Sequence, residues 1–257
     1  SRTGRSAAGG TAPGHKGARR MPVVNYAHRG ASEYYPENTL RSFYAGLEMR
    51  ADGIETDIQR TLDGVLVLHH DDTLERVTGK KGVIREFTYA QLLEMDFGIF
   101  KGERFAGEKI VTLDAFLTYF GQKNLKLALE IKQYGVEEQT LALINAHGCR
   151  DRVTLTSFIW ESVADVRALD QTIDVGFLTD RITPETLDKL ALHRIGQICP
   201  RVDLVSEEDM ALARKRGFRV RFWGVKDEAL MRRALALNGD GMTVNFPDKL
   251  TAALEAK

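Results

Sequence analysis

Eight times between residues 23 and 255, the sequence sets a short β-branched or apolar run ahead of an amphipathic stretch of helical period. The runs fall at 23–28, 53–58, 125–131, 153–157, 173–178, 196–199, 219–224 and 240–244, and read as strands. The amphipathic stretches fall at 39–49, 112–121, 136–147, 160–168, 184–192, 207–216, 227–237 and 247–255, and read as helices. Several carry their own boundary chemistry. Thr183-Pro184-Glu185 supplies a cap, a first-turn proline and an acid, Ser206-Glu207-Glu208-Asp209 loads negative charge onto an N-terminus, and Gly148 and Gly217 mark helix ends. Such alternation calls for a parallel sheet covered by helices, and eight units predict that the sheet closes on itself. An open doubly wound sheet usually has fewer strands and a glycine-rich dinucleotide turn; neither Gly-x-Gly-x-x-Gly nor a Walker A pattern occurs here. The fold class is therefore α/β, a TIM (β/α)8 barrel, and 257 residues suit the ~250 such a barrel needs.

Residues 72–111 break the rhythm and predict a small insertion after the second strand, a lobe over one end of the barrel. It holds Gly79-Lys80-Lys81-Gly82, a helix expected at 88–95, and Phe87, Phe97, Phe100 and Phe105, read as a mini-core of its own. Residues 1–20 are rich in Gly, Ala, Ser and Arg without periodicity and read as a disordered leader or a tag, with Met21 as a native start. The domain organisation is thus 1–20 apart from a barrel at 21–257 that carries the lobe at about 72–111.

Charge and composition narrow the partners. The chain is formally neutral, but Arg2, Arg5, Lys16, Arg19 and Arg20 stand in a leader without acids, leaving 31 basic against 36 acidic residues in 21–257. That body of about −5, with no basic stripe interleaved with aromatics, excludes nucleic acid as a partner of the folded part. No apolar run approaches the ~20 residues of a membrane span, and the leader lacks a signal-peptide core, so stable membrane insertion is not expected and the cytoplasm is the default location. The two cysteines, Cys149 and Cys199, have no histidine at metal spacing and read as free thiols of a reducing compartment.

The densest chemistry lies in 53–71. Glu55 and Asp57, two apart on a strand, face the same way, and Asp63-Gly64 turns the next apolar run back so that it ends at His69-His70. Alternation turns His69 to the opposite face from His70. In a barrel of this class the site gathers at the C-terminal ends of the strands. There the first strand delivers His28-Arg29, the second Glu55 and Asp57, the hairpin His70, and the third Glu130 and Lys132. Three carboxylates from neighbouring strands offer hard oxygen ligands that suit Ca2+ or Mg2+ better than Zn2+. With Arg29 and Lys132 to neutralise charge and His28 and His70 to divide acid and base roles, the rim suits a phosphate ester. Lys132 has a plainer alternative, an ion pair with Glu130.

These residues fall in ordered motifs. His28-Arg29-Gly30-Ala31-Ser32, Pro36-Glu37-Asn38-Thr39, Glu55-Thr56-Asp57, Thr61 with Asp63-Gly64, His70-Asp71 with Leu74, Arg76 and Thr78, and Glu130-Ile131-Lys132 together resemble the glycerophosphodiester phosphodiesterase family, over about 26–247. The resemblance implies a TIM barrel with an insertion, a bound Ca2+ or Mg2+, and hydrolysis of a small-molecule glycerophosphodiester to glycerol 3-phosphate and an alcohol. Carried over by position, it implies Glu55, Asp57 and Glu130 as metal ligands and His28 and His70 as the acid/base pair. Glu37 and Asn38 would brace the first loop and Trp223 would wall the site. The chain departs from the family pattern after that tryptophan, where Gly224-Val225-Lys226 replaces the usual Thr-Val-Asn. It departs again at Val244-Asn245, where Thr-Asp is common. Both departures are expected to bear on substrate choice and to leave the metal and histidines intact. Two rival readings remain open: a lysophospholipase D-like or phospholipase D-like enzyme using Phe97, Phe100 and Phe105 as an apolar groove, and a non-catalytic phosphodiester-binding barrel.

Overall fold

A computed structural model describes residues 22–256; the leader expected at 1–20 and the start expected at Met21 lie outside the described residues. The strands are β1 (Val24–His28), β2 (Gly53–Arg60), β3 (Leu66–Leu68), β4 (Lys126–Ile131), β5 (Val153–Ser157), β6 (Asp174–Leu178), β7 (Gln197–Cys199), β8 (Arg219–Val225) and β9 (Gly241–Val244). All but β3 are parallel, in the order β1-β9-β8-β7-β6-β5-β4-β2, and β1 pairs with β2 to close the barrel. Each barrel strand falls within about two residues of its sequence expectation. Eight helices cover the outside: α1 (Leu40–Glu48), α4 (Leu113–Phe120), α5 (Glu137–Ala146), α6 (Trp160–Leu169), α7 (Pro184–Leu192), α8 (Glu207–Lys215), α9 (Glu228–Leu237) and α10 (Pro247–Glu255). The short α2 (Glu75–Thr78) and α3 (Tyr89–Leu93) lie in the insertion. Thr183 and Ser206 cap α7 and α8 as their sequences predict, each accepting a backbone N–H through its hydroxyl. No helix among the described residues is long and apolar enough to cross a membrane.

Strand parity sorts the core. Ile54, Ile58, Leu127, Leu129, Ile131, Leu155, Val175, Ile198, Val220, Phe222, Met242 and Val244 point outward into one apolar cluster with the helices. The alternate positions point into the barrel, and they are small or polar: Tyr26, Glu55, Asp57, Ala128, Glu130, Thr154, Thr156, Gly176, Gln197, Cys199, Arg221 and Thr243. Stability therefore resides in the layer between barrel and helices, and the lumen is free to hold charge.

The hairpin sits where the barrel leaves an edge. β2 pairs with β1 only through Glu55, while β4 holds its other edge through Ile58. β3 takes the vacant edge, with Ile58 opposite Leu68 and the His69 amide donating to the Asp57 carbonyl at 3.0 Å. The chain thus emerges at His70 beyond the end of β1. Asp63 secures the turn by accepting the Thr61 hydroxyl at 2.6 Å and the Tyr89 amide at 2.9 Å, and Gly64 adopts φ +86°. Within 72–111, Leu74, Val77, Ile84, Leu92, Met95, Phe97 and Ile110 pack with Val67 as a second apolar cluster, and Phe87 and Phe100 lie against it. Phe105 departs from that expectation: it is buried instead against Tyr35, with Arg41 and Arg104 over its ring.

The first loop is held tightly. Arg29 and Asn38 both adopt φ 57°, an uncommon conformation for side-chain-bearing residues. Asn38 donates its amide to the Arg29 carbonyl at 3.0 Å, and the Ser42 hydroxyl donates to the same oxygen at 2.9 Å. Gly30, at φ +83°, lies so close to Ser42 that a Cβ would stand 2.3 Å from its hydroxyl oxygen. Gly30→Ala is expected to destabilise the chain by about 2 kcal/mol or more, from backbone strain and overpacking together. Urea unfolding checks this as a lower midpoint at unchanged slope; an unchanged midpoint contradicts it.

Candidate active site

Barrel closure places β1 between β9 and β2, and β2 beside β4, so the ends of these strands share one mouth. Asp57 stands opposite Glu130 across the β2–β4 ladder, and His28 opposite Glu55 across β1–β2. One oxygen from each of Glu55, Asp57 and Glu130 lies within 4.8 Å of the others, and all three residues are buried. Glu55 Oε2 and Asp57 Oδ1 have no hydrogen-bond partner among the described residues. Buried carboxylate oxygens left bare inside a protein call for a cation, and three oxygens at this spacing fit a hard divalent ion.

The acids differ in their surroundings. Burial, then Asp57 and Glu130, push the Glu55 carboxyl well above its ordinary value. Burial and Asp57 raise Glu130 to about 7 against the pull of Lys132. Asp57 ends below its ordinary value: burial would raise it, but Arg29, His70, Lys132 and the Asn38 amide together prevail. Asn38 Nδ2 donates to Asp57 Oδ2 at 3.0 Å and its carbonyl accepts the Thr56 hydroxyl at 2.7 Å, so Asn38 fixes a candidate ligand directly. Arg29 Nε lies 3.5 Å from Asp57 Oδ2, and its Nη1 donates to Glu37 at 3.1 Å. Lys132 Nζ is on Glu130 Oε1 at 3.2 Å, the ion pair that was its plainer alternative.

The two histidines have unlike partners. His70 Nδ1 meets the Asp71 carboxylate at 2.8 Å. His28 Nδ1 meets the Asn245 amide oxygen at 2.6 Å, and its Nε2 lies 3.7 Å from Glu55 Oε2. Burial, then the Arg29 charge, lower His28 to about 3, so its imidazole is neutral in this setting. His69 is buried, joined through Nε2 to the Thr73 carbonyl at 2.9 Å and set edge-on to Phe97.

His28, Arg29, Glu55, His70, Glu130 and Trp223 line one cavity of about 450 Å3 at this end of the barrel. Asp57 and Lys132 do not line it; each adjoins a residue that does, Asp57 within the carboxylate cluster and Lys132 through Glu130. Trp223 stands on the far wall, its indole N–H on the Thr179 carbonyl at 2.9 Å and its ring edge-to-face with Phe158 at 5.1 Å. Phe158, Arg201, Asp203 and Lys226 share that wall and were not singled out by sequence patterns, apart from Lys226. Gly224, one of the departures from the family pattern, adopts φ +74° with Arg201 packed where a side chain would stand.

Asn245 has a place that the sequence does not indicate. Its departure from the common aspartate leaves His28 in the cavity, as expected, and Asn245 is also the direct partner of His28. The signal that could have found it is topological: closure puts the last strand end beside the first, 217 residues away in sequence. Asp71 carried a plainer signal in its adjacency to His70. Phe97 and Phe105 are buried and Phe100 is half-buried, so the apolar groove required by the lysophospholipase D-like rival is absent from these residues.

Comparison with known proteins gives consistent results. The sequence model of the glycerophosphoryl diester phosphodiesterase family matches residues 28–249. A glycerophosphodiester phosphodiesterase of Caldanaerobacter subterraneus is 32% identical over 235 residues, 90% of this chain and 97% of that protein. One from Bacillus subtilis is 30% identical over 249 residues, 88% and 84% of the respective chains. Among solved structures, an Oleispira antarctica phosphodiesterase in complex with the product sn-glycerol-3-phosphate superposes with a TM-score of 0.85 at 26% identity, covering 91% of this chain and 97% of that one.

The raised carboxyls make metal-free stability depend on pH. A carboxyl whose folded pKa exceeds its unfolded value stabilises the fold while protonated, and that contribution fades as pH rises through the folded value. Glu55 and Glu130 act in this sense. His28, His69 and Asp57 act oppositely, but Asp57 adds nothing further above about pH 5, and the histidines, half-charged in the unfolded chain at 6.5, add little more above about pH 7.5. From pH ~7.5 to ~8.5 the metal-free Tm is therefore expected to fall, and saturating Mg2+ or Ca2+ to remove most of the fall. Calorimetry over that interval checks it; a flat or rising metal-free Tm contradicts it.

Proposed function

This chain belongs to the glycerophosphoryl diester phosphodiesterase family, and on that premise we propose that His28 and His70 carry the proton transfers of its reaction at a cation held by Glu55, Asp57 and Glu130. The chain is a metal-dependent phosphodiesterase that hydrolyses glycerophosphodiesters to glycerol 3-phosphate and an alcohol. The observation that carries the residue assignment is the set of three buried carboxylates within 4.8 Å, two of which line one cavity together with His28 and His70. When bound, a cation there, which we take to be Ca2+ or Mg2+ from the all-oxygen donor set, supplies charge stabilisation to the phosphoryl oxygens.

The protein's own groups do the rest. Arg29, oriented by Glu37 and Asp57, offers its guanidinium to the diester, and Lys132 balances the charge beside Glu130. Trp223 and Phe158 close the opposite wall and limit the space for water. The histidine partners divide the proton work. His28, with Nδ1–H committed to the Asn245 amide oxygen and no carboxylate on that nitrogen, presents a neutral Nε2 lone pair to the attacking oxygen. His70 donates Nδ1–H to Asp71, whose carboxylate stabilises an imidazolium, so His70 is equipped to hand a proton to the departing alkoxide. The attacking oxygen is either water or the glycerol 2-hydroxyl by way of a cyclic phosphate.

Two further assignments belong to this reading. We take the barrel to span 21–257 with its inserted lobe at about 72–111, supported by the separate apolar cluster there. We place the chain in the cytoplasm, supported by two buried cysteines that are unpaired.

A leaving group that needs no proton separates the histidine roles. On glycerophosphocholine, His28→Ala and His70→Ala are each expected to lose at least ~10²-fold in kcat. On a glycerophospho-p-nitrophenyl ester, His70→Ala is expected to recover most of that loss and His28→Ala none of it. Recovery by His28→Ala instead would reverse the assignment. Exhaustive chelation is expected to abolish turnover and added Mg2+ or Ca2+ to restore it; activity that survives chelation rules out the three-carboxylate site as a catalytic centre.

A further inference from the structure

Arg76 approaches the site from outside the barrel, on the short helix α2 that opens the lobe. Its guanidinium grips two carboxylates at once. Nε and Nη2 donate to Asp71 at 2.8 and 3.0 Å, and Nη1 and Nη2 donate to Glu37 at 2.9 and 2.7 Å. Each carboxylate in turn holds a group of the active site: Asp71 takes His70 Nδ1 at 2.8 Å, and Glu37 takes Arg29 Nη1 at 3.1 Å. Arg29 continues to Asp57, 3.5 Å from its Nε.

We propose that Arg76 is a positioning residue of the hydrolytic reaction, one guanidinium that sets His70 and Arg29 relative to each other through the two carboxylates it clips together. The inference rests on the hydrolytic reading above. Its physical basis is the planar five-donor fork, which can fix two carboxylates in defined orientations, whereas an ammonium offers a single mobile point of charge. Asp71 and Glu37 come from segments more than thirty residues apart in sequence, and Arg76 bonds to both.

A purely structural role fits the surroundings less well. The Arg76 side chain is 46% exposed, so solvent screening discounts what even this bidentate network contributes to folding stability. Leu74 and Val77, not Arg76, anchor α2 in the lobe's apolar cluster, and Arg76 only lies over the Phe100 ring at 5.9 Å. Its two hydrogen-bonded carboxylates are both held below their ordinary values, Asp71 first by its bonds from Arg76, and Glu37 by Arg76 and Arg29 against the effect of burial. Thus the charges are present to be oriented, and what Arg76 adds is direction.

The test is a coupling measurement. Arg76→Met is expected to lower kcat on glycerophosphocholine by ~10- to 100-fold, in the range seen when a group supporting a site residue is lost. KM should change less, Tm should move by no more than about 3 °C, and Arg76→Lys should recover only part of the rate. Glu37→Gln and Asp71→Asn are then combined. With Arg76 present, the double variant should lose at least about threefold less than the product of the two single losses, and with Met at 76 the losses should simply multiply. The His70 Nδ1–H resonance should also shift in Arg76→Met, which a role confined to folding would not cause. An inactive wild type would overturn the hydrolytic reading itself. An active wild type in which Arg76→Met stays within twofold in kcat, or in which Glu37→Gln and Asp71→Asn multiply while Arg76 is present, overturns the role assigned to Arg76 alone.

Discussion

Three carboxylates buried together in the lumen of a barrel repel one another and are poorly solvated, and much of the rest of this fold can be understood as accommodating them. The parity of β2 and β4 sends Glu55, Asp57 and Glu130 inward while Ile54, Ile58, Leu129 and Ile131 go outward to the helices. The lumen around them is built from Thr, Gln, Cys and Gly instead of the branched aliphatic layers that fill many barrels of this class. Arg29, Lys132 and Arg221 bring positive charge to the cluster from three different strand ends or interiors, yet Glu55 and Glu130 still resist ionisation. The remaining deficit of positive charge is what suits the cluster to a cation.

A parallel barrel presents one strand end per βα unit, and the proposed proton transfers need more groups at the mouth than the neighbouring ends provide. The hairpin resolves this by using the edge of β2 left uncovered beyond Glu55. β3 pairs there and delivers His70 beyond the end of β1, to the cavity that His28 also lines. The lobe then extends from the hairpin, and its first helix turns Arg76 back over the two carboxylates that hold His70 and Arg29. Insertion and active site are in this sense one construction: the segment that departs from the barrel repeat is also the one that completes its mouth.

Much of this was legible in the sequence for identifiable reasons. The eightfold alternation has two different hydrophobic periods, so strands and helices separate cleanly, and Glu55-x-Asp57 and Glu130-x-Lys132 place their side chains by parity alone. Asp63-Gly64 foretold the turn because few other residue pairs suit its backbone. What escaped was set by three-dimensional closure. Asn245 reaches His28 only because the last strand lies beside the first, and Arg76 meets Glu37 only because the lobe folds back over the first loop. Phe105 was grouped with its neighbours in sequence but packs on Tyr35 of the first loop, since composition gives no direction to an isolated aromatic.

On the reading proposed above, Glu55, Asp57 and Glu130 together hold one divalent cation in the barrel mouth. Anomalous diffraction from a crystal of the wild-type chain grown with Mn2+ tests it most directly. A single dominant anomalous peak is expected in the cavity lined by His28 and His70, within bonding distance of an oxygen from each of the three carboxylates. A cavity without a peak, or a peak bound by other residues while these three carboxylates remain unligated, would contradict it.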